Sequence, residues 1–407
     1  MGAARRRRSS RGARLRWGIG AAVAVLAATA GYALYTHQKA RNTQRLLHDA
    51  QAYQEQEDWA NAAIAYRQYL RRRPDDRDAL PAYGDVLYRQ LDASPQSAAD
   101  AVGVFRKLLD ADPSNIEAIS KLASIWLAFG RFSEAEDLSR RWVELAPQSL
   151  EAAMARARAL YGRGKHEEAV DALQQALLRM PKEGRLFPPL IRLLAVELQK
   201  PEEALTWADR AIQAAPELAE VQMAVFALHQ QRGDYDTAER HLLRAMELAP
   251  ESADTITAGG AFFTSRGELD RAADVFERGA KLFPADHRLL VARRVWAIRK
   301  NDPSEMARVA ADLTAYAAAN DPSLLAQAAD LLLRARHDDG LNECIAALHA
   351  ASEANEELAG WHHALKGMRA LLNHRPTTAV IHLDDAERLL PASAAIKTLL
   401  ARAFAEV

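Results

Sequence analysis

The chain has 407 residues, 49% of them hydrophobic and 26% charged, with 53 Lys and Arg against 54 Asp and Glu. That is apolar content enough for a packed core, and a length that would ordinarily make two or three globular domains. The single cysteine, Cys344, excludes an internal disulfide and any multi-cysteine zinc site.

The net charge of −1 is unevenly distributed: ten basic residues precede the first carboxylate, Asp49, so residues 1–48 carry +10 and the remainder −11. Residues 1–16 form a basic tail holding Arg5, Arg6, Arg7, Arg8, Arg11, Arg14 and Arg16. Trp17 to Tyr35 then runs for nineteen residues without a charge or a proline. As a helix this segment reaches about 28 Å, close to the roughly 30 Å of bilayer hydrocarbon. The expectation is one transmembrane helix, or uncleaved signal anchor, with Trp17 at one interface and Tyr32 and Tyr35 at the other. Ala28-Thr29-Ala30 keeps a cleaved signal peptide open, and the acid-free, Arg-bearing leader keeps a mitochondrial-type targeting segment open. Seven arginines before the span against Lys39, Arg41 and Arg45 after it predict a cytoplasmic N-terminus. The body of the protein would then lie outside the cytoplasm at a bacterial inner membrane, behind a linker of residues 36–42.

From residue 43 the sequence repeats. Prolines fall at Pro74, Pro113, Pro147, Pro181, Pro216, Pro250 and Pro284, at spacings of 39, 34, 34, 35, 34 and 34. Twelve residues before each stands an alanine: Ala62, Ala101, Ala135, Ala169, Ala204, Ala238 and Ala272. Residues 116–149 show the unit best, as helix, turn, helix. Ile116, Ile119, Leu122, Ala123 and Trp126 make one apolar stripe, Gly130 ends the first helix, Ser133 is placed to cap the second, and Pro147 stops it. The turn glycine recurs at Gly164, Gly233 and Gly267 and is lost at Glu57 and Lys200.

This pattern resembles the tetratricopeptide repeat, whose 34-residue signature joins a small residue, an aromatic, an alanine and a proline. Tyr53, Trp126 and Phe263 match the aromatic, and Ala50, Gly84, Ala123, Ala157 and Gly260 the small residue ahead of it. Units are expected at 43–76, 77–115, 116–149, 150–183, 184–218, 219–252 and 253–286, the second carrying five extra residues around Leu91 to Pro95. Three weaker units follow: 287–322 with Asp302 and Ala307, 323–356 with Cys344 at the alanine position, and 357–391 with Gly367, Ala379 and Pro391. Residues 392–407 read as a capping helix. Phe226 and Arg192 at small-residue positions, and Phe187-Pro188-Pro189 opening the fifth unit, predict irregular packing there. The expected fold class is all-α, a right-handed solenoid of about ten helical hairpins preceded by one transmembrane helix.

The resemblance implies a scaffold whose first helices line a concave groove for protein or peptide partners. By position the groove candidates are Glu117, Ser120, Ser124, Glu151, Met154, Arg158, Glu220, Met223, Asp254, Thr257 and Ala261. Ser120, Ser124, Met154 and Arg158 stand where chaperone-binding members carry Lys and Asn, so their dicarboxylate clamp is absent, as is an asparagine ladder. No HExxH, G-x-S-x-G, phosphate loop or dinucleotide loop occurs, so no enzyme activity, catalytic residue or cofactor is expected. Six histidines, His337, His349, His362, His363, His374 and His382, fall within 46 residues. No two of them stand at i, i+3 or i, i+4, so no metal is expected, although folding could unite His363 with His374. Cys344 reads as a buried small hydrophobe. The basic tail reads as a topology determinant touching anionic lipid, so no nucleic acid is expected. The functional expectation is a membrane-anchored scaffold recruiting partners for envelope, secretion or polysaccharide machinery. The alternative is a regulatory or substrate-recruiting subunit of a membrane-associated enzyme complex.

Overall fold

The computed structural model describes residues 29, 31, 32, 34–91, 95–336, 340–353 and 355–407. Among these residues every regular element is helical and none is a strand. The arginines of the basic tail, Trp17 and most of the expected span lie outside the described residues. Tyr32 and Tyr35 lie within them and are 70% and 61% exposed. The placement at a bacterial inner membrane requires correction: among the described residues no helix is long and apolar enough to cross a membrane. The helical residues 34–55 (α1) carry Tyr35 directly into His37, Lys39, Arg41 and Arg45, which a bilayer core would not hold without large cost.

The chain divides into two compact units between Leu186 and Phe187. In the first, α1 is followed by α2 (Trp59–Leu70), α3 (Ala79–Arg89), α4 (Pro95–Ala111), α5 (Ile116–Ala128), α6 (Phe132–Leu145), α7 (Leu150–Gly162) and α8 (His166–Arg179). Each packs on its sequence neighbours, which makes a stack of helical hairpins. Asn115 and Ser149 start α5 and α7 by accepting hydrogen bonds from the amides of Ala118 and Ala152. Ala62, Ala135 and Ala169 are fully buried in the first turns of α2, α6 and α8, and Ala101 within α4, where close packing leaves little room beyond a methyl group. Pro74, Pro113, Pro147 and Pro181 are exposed in the turns after those helices.

Two local expectations fail in the best-formed unit. Gly130 adopts φ +68°, and the Arg131 amide returns to the Trp126 carbonyl at 2.8 Å. That closure reverses the chain at once, so α6 begins at Phe132 with Arg131 before it and Ser133 inside the first turn, not capping it. Ile116 opens α5 with its side chain 42% exposed, leaving Ile119, Leu122, Ala123 and Ile125 as the buried face.

The second unit opens irregularly. A short helix α9 (Phe187–Arg192) runs into a π turn over Leu193–Glu197. Pro188 and Pro189 are tolerated because they sit in the first turn, where amide hydrogens have no intrahelical partner. The Leu198 amide reaches back to Leu193 and the Lys200 amide to Leu194. Regular helices follow: α10 (Pro201–Ala214), α11 (Ala219–Gln231), α12 (Tyr235–Leu248), α13 (Ala253–Arg266), α14 (Leu269–Leu282), α15 (His287–Lys300) and α16 (Pro303–Ala319). The unit ends with α17 (Leu325–Ala335), α18 (Leu341–Ser352), α19 (Glu356–Leu372), α20 (Pro376–Leu389) and α21 (Ala394–Glu406). Ala204, Ala238 and Ala272 are fully buried, whereas Pro216, Pro250 and Pro284 are exposed in turns. Phe226 is accommodated by meeting Phe262 edge-on at 5.6 Å.

The hairpin turns need one left-handed residue. Gly267 supplies it at φ +80°. Glu57, Gln199 and His374 take the same conformation at φ +56°, +52° and +55° without being glycine, each at a cost of about 1–2 kcal/mol. The turn residue ahead of α10 is therefore Gln199, with Lys200 one place later at the helix cap.

Candidate functional site

The groove candidates sit on the first helix of each hairpin. Glu117, Glu151, Glu220 and Asp254 each occupy the first turn of their helix, where a carboxylate meets the positive end of the helix dipole. Glu151 accepts from Ser149 Oγ at 2.9 Å, and hydrogen bonds from its own amide and from Ser149 hold its carboxyl below the usual range. Asp254 pairs with Arg288 at 2.5 Å. The hydroxyls of Ser120 and Ser124 donate to the carbonyls of Glu117 and Ser120, both at 2.9 Å, so they are turned back on their own helix. Thr257 Oγ1 is buried without a hydrogen-bond partner, Met223 packs partly against the core, and Arg158 and Ala261 are exposed. The acids thus stand favourably at helix starts, and on this face of the first unit Glu117 and Arg158 are exposed while Met154 is half-buried.

The first unit also holds a concavity that no motif or periodicity announces. Helices α6, α7 and α8 enclose a cleft of about 390 Å³. Val143, Pro147, Ala153 and Ala172 form apolar walls, while Arg140, Arg156 and Arg179 face it together with Glu144, Glu168 and Asp171. None of the groove candidates lines it. At 100° per residue, Glu151, Met154 and Arg158 fall within an arc of about 60°, and Arg156 and Ala153 lie about 130 to 170° around the helix from it. Helix α7 therefore offers two separate faces.

The histidines of the second unit come together more than their sequence spacing indicates. Across α18, α19 and α20 the rings of His349 and His362 stack at 5.2 Å, His362 meets His363 at 5.7 Å, and His363 meets His382 at 5.7 Å. A ring nitrogen from His363, one from His382 and a carboxylate oxygen of Asp385 all lie within 4.8 Å of one another. His374 is not in the group, being held in the turn after α19, and His337 lies outside the described residues. Asp385 is the residue that histidine counting misses; its i, i+3 relation to His382 was present in the sequence. Burial, then the charge of Lys366, pushes His362 down to about 4 and lowers His382 as well. Cys344 is fully buried in α18, and burial pushes its thiol up to about 11, so it is inert packing.

These features define a class: a protein of stacked helical hairpins, each with a buried alanine in its second helix except where Cys344 takes that place. Family models described as the tetratricopeptide repeat match residues 95–159 in one case and residues 49–116 and 154–219 in the other. Residues 49–219 thus carry tetratricopeptide repeats. No curated protein matches it in sequence. Similar solved structures include the MamA protein, at 20% identity and TM-score 0.35 over 41% of this chain and 95% of that one. Another is pilF of Pseudomonas aeruginosa, at 19% and 0.40 over 52% and 95%. YrrB, described as a TPR protein with an unusual peptide-binding site, is similar at 19% and 0.33 over 47% and 97%. Each is a likeness over part of this chain.

Proposed function

We propose that the protein is a non-enzymatic scaffold that binds an extended segment of a protein or peptide partner, and that the α6–α7–α8 cleft is its seat in the first unit. The observation that carries this reading is the cleft itself. A concavity of about 390 Å³ with apolar walls and charges of both signs suits a peptide, because the walls supply burial while the charges fix register. Tetratricopeptide repeats in general bind proteins or peptides, which agrees with that chemistry. The groove candidates on the opposite face of α7 and on α5 form the second contact surface in this proposal.

The test is capture of partners by the full chain from its native source, followed by binding of the identified segment as a synthetic peptide. Ala172→Arg, which fills the cleft from a partly exposed position, is expected to lower peptide affinity at least tenfold, while Met154→Arg leaves it unchanged. The reverse result would move the seat to the first-helix face, and binding unaffected by either change would refute both surfaces. If the captured partner is an enzyme whose turnover responds to added protein, the scaffold acts as a regulatory subunit.

A further inference from the structure

We propose that His363, His382 and Asp385 form a binding site for a divalent transition-metal ion of the zinc type. The site is built on two helices held close together. Gly367 lets α19 approach α20 so nearly that an added Cβ would lie 2.5 Å from Leu383. His382 and Asp385, three residues apart, share one face of α20, and His363 meets them from α19. Ligands on packed helices are placed more firmly than ligands on loops.

Two further observations separate this arrangement from an ordinary polar contact. First, Nδ1 of His363 and Nδ1 of His382 are both buried and make no hydrogen bond. A buried polar atom without a partner costs about 1–3 kcal/mol, and here two occur side by side. Second, Asp385 Oδ2 stands 3.7 Å from His363 Nδ1. That is too long for a hydrogen bond and near the roughly 3.3 Å that separates two ligands bound at about 2.0 Å to a tetrahedral ion. A polar staple between the helices would have closed that gap. The other carboxylate oxygen, Oδ1, faces Arg388 at 3.5 Å, which leaves Oδ2 for the histidines.

The donor set selects the ion. Two imidazoles and one carboxylate suit zinc and its neighbours, not calcium or magnesium, which prefer oxygen alone. Three protein ligands leave a fourth position for water or for a donor from a partner. Lys366, one turn along α19 and within electrostatic reach of His382, opposes the cation, so its removal should tighten binding.

The full chain, stripped by a chelator, would be titrated with Zn²⁺ by calorimetry and with Co²⁺ by visible absorption. The expected result is one equivalent of Zn²⁺ at this site and a Co²⁺ spectrum of four-coordinate type. His382→Gln and Asp385→Asn should each weaken Zn²⁺ binding by about 100-fold or more, since even outer-shell changes reach that range. Lys366→Gln should strengthen it, and His374→Gln should leave it unchanged. Zn²⁺ should also raise the melting temperature of the unaltered chain and not of Asp385→Asn. Asp385 is only partly buried, so this variant serves if a histidine replacement prevents folding. Absence of stoichiometric binding, or equal binding by Asp385→Asn, would overturn the site.

Discussion

The same substitution, glycine to alanine within a helix, should have opposite effects at Gly260 and Gly103. Both lie in helix interiors, in α13 and α4, where alanine gains about 0.5–1 kcal/mol over glycine from backbone entropy. At Gly103 the new methyl meets nothing within 4 Å, so the gain stands. At Gly260 it would lie 2.3 Å from Phe276 Cε1 and 2.4 Å from Cζ. Phe276 cannot swing away, because it is buried against Trp296 at 5.8 Å, and Trp296 is itself held by its indole N–H donating to the Leu269 carbonyl at 3.0 Å. Overpacking of this kind costs about 1–3 kcal/mol, so the net loss is up to about 2.5 kcal/mol. In a unit of this size that lowers the melting temperature by up to roughly 10 °C. Hydrogen exchange across α13 and α14, with thermal melting of the full chain, would measure it. Replacing Phe276 with Leu in the Gly260→Ala background should recover part of the loss, giving a non-additive cycle. Gly260→Ala melting above the unaltered chain would refute the packing argument.

Ala169 is fully buried, so Ala169→Trp should lower the melting temperature of the first unit, by about 1–3 kcal/mol or more; unchanged melting would count against the repeat register. Glu57→Gly should stabilise by about 1 kcal/mol in urea titrations, because glycine takes φ +56° without the strain glutamate bears. Cys344 should react with a thiol reagent only as fast as the chain opens. Its folded-state pKa of about 11 lies above the ordinary 9.0, so the unfolded chain loses this proton first. The resulting stability is complete below pH 9, and about 3 kcal/mol is lost as pH rises toward 11, which denaturant midpoints across that range would show.

The helical repeat class was legible because each hairpin makes single-residue demands that recur with the period. A methyl where two helices cross and a helix stop in the turn leave one permitted letter each, and Ala135 with Pro147 states both. Features set by neighbours across the fold left weaker marks. The left-handed turn at Gln199 carries no glycine to announce it, and the start of α6 depends on the closure at Gly130. The lining of the cleft comes from three helices that no single periodicity joins. His363 approaches His382 and Asp385 only because Gly367 brings α19 against α20. The membrane placement failed for a different reason: it rested on the apolar run and its flanking charges, and among the described residues no helix has the apolar length required.

The ties between successive hairpins have a consequence for synthesis. Arg67 to Asp100, Lys121 to Asp85, Gln231 to Ala195 and Arg294 to Asp330 each reach 33 to 36 residues along the chain, about one repeat. A hairpin therefore settles these charges with its immediate neighbours in the stack. At about 5–20 residues per second a ribosome releases one repeat every few seconds, whereas local helical contacts form in microseconds to milliseconds. The chain can add folded hairpins one at a time as it emerges, and the α6–α7–α8 cleft is complete once Arg179 has cleared the ribosome, before most of the second unit has been released.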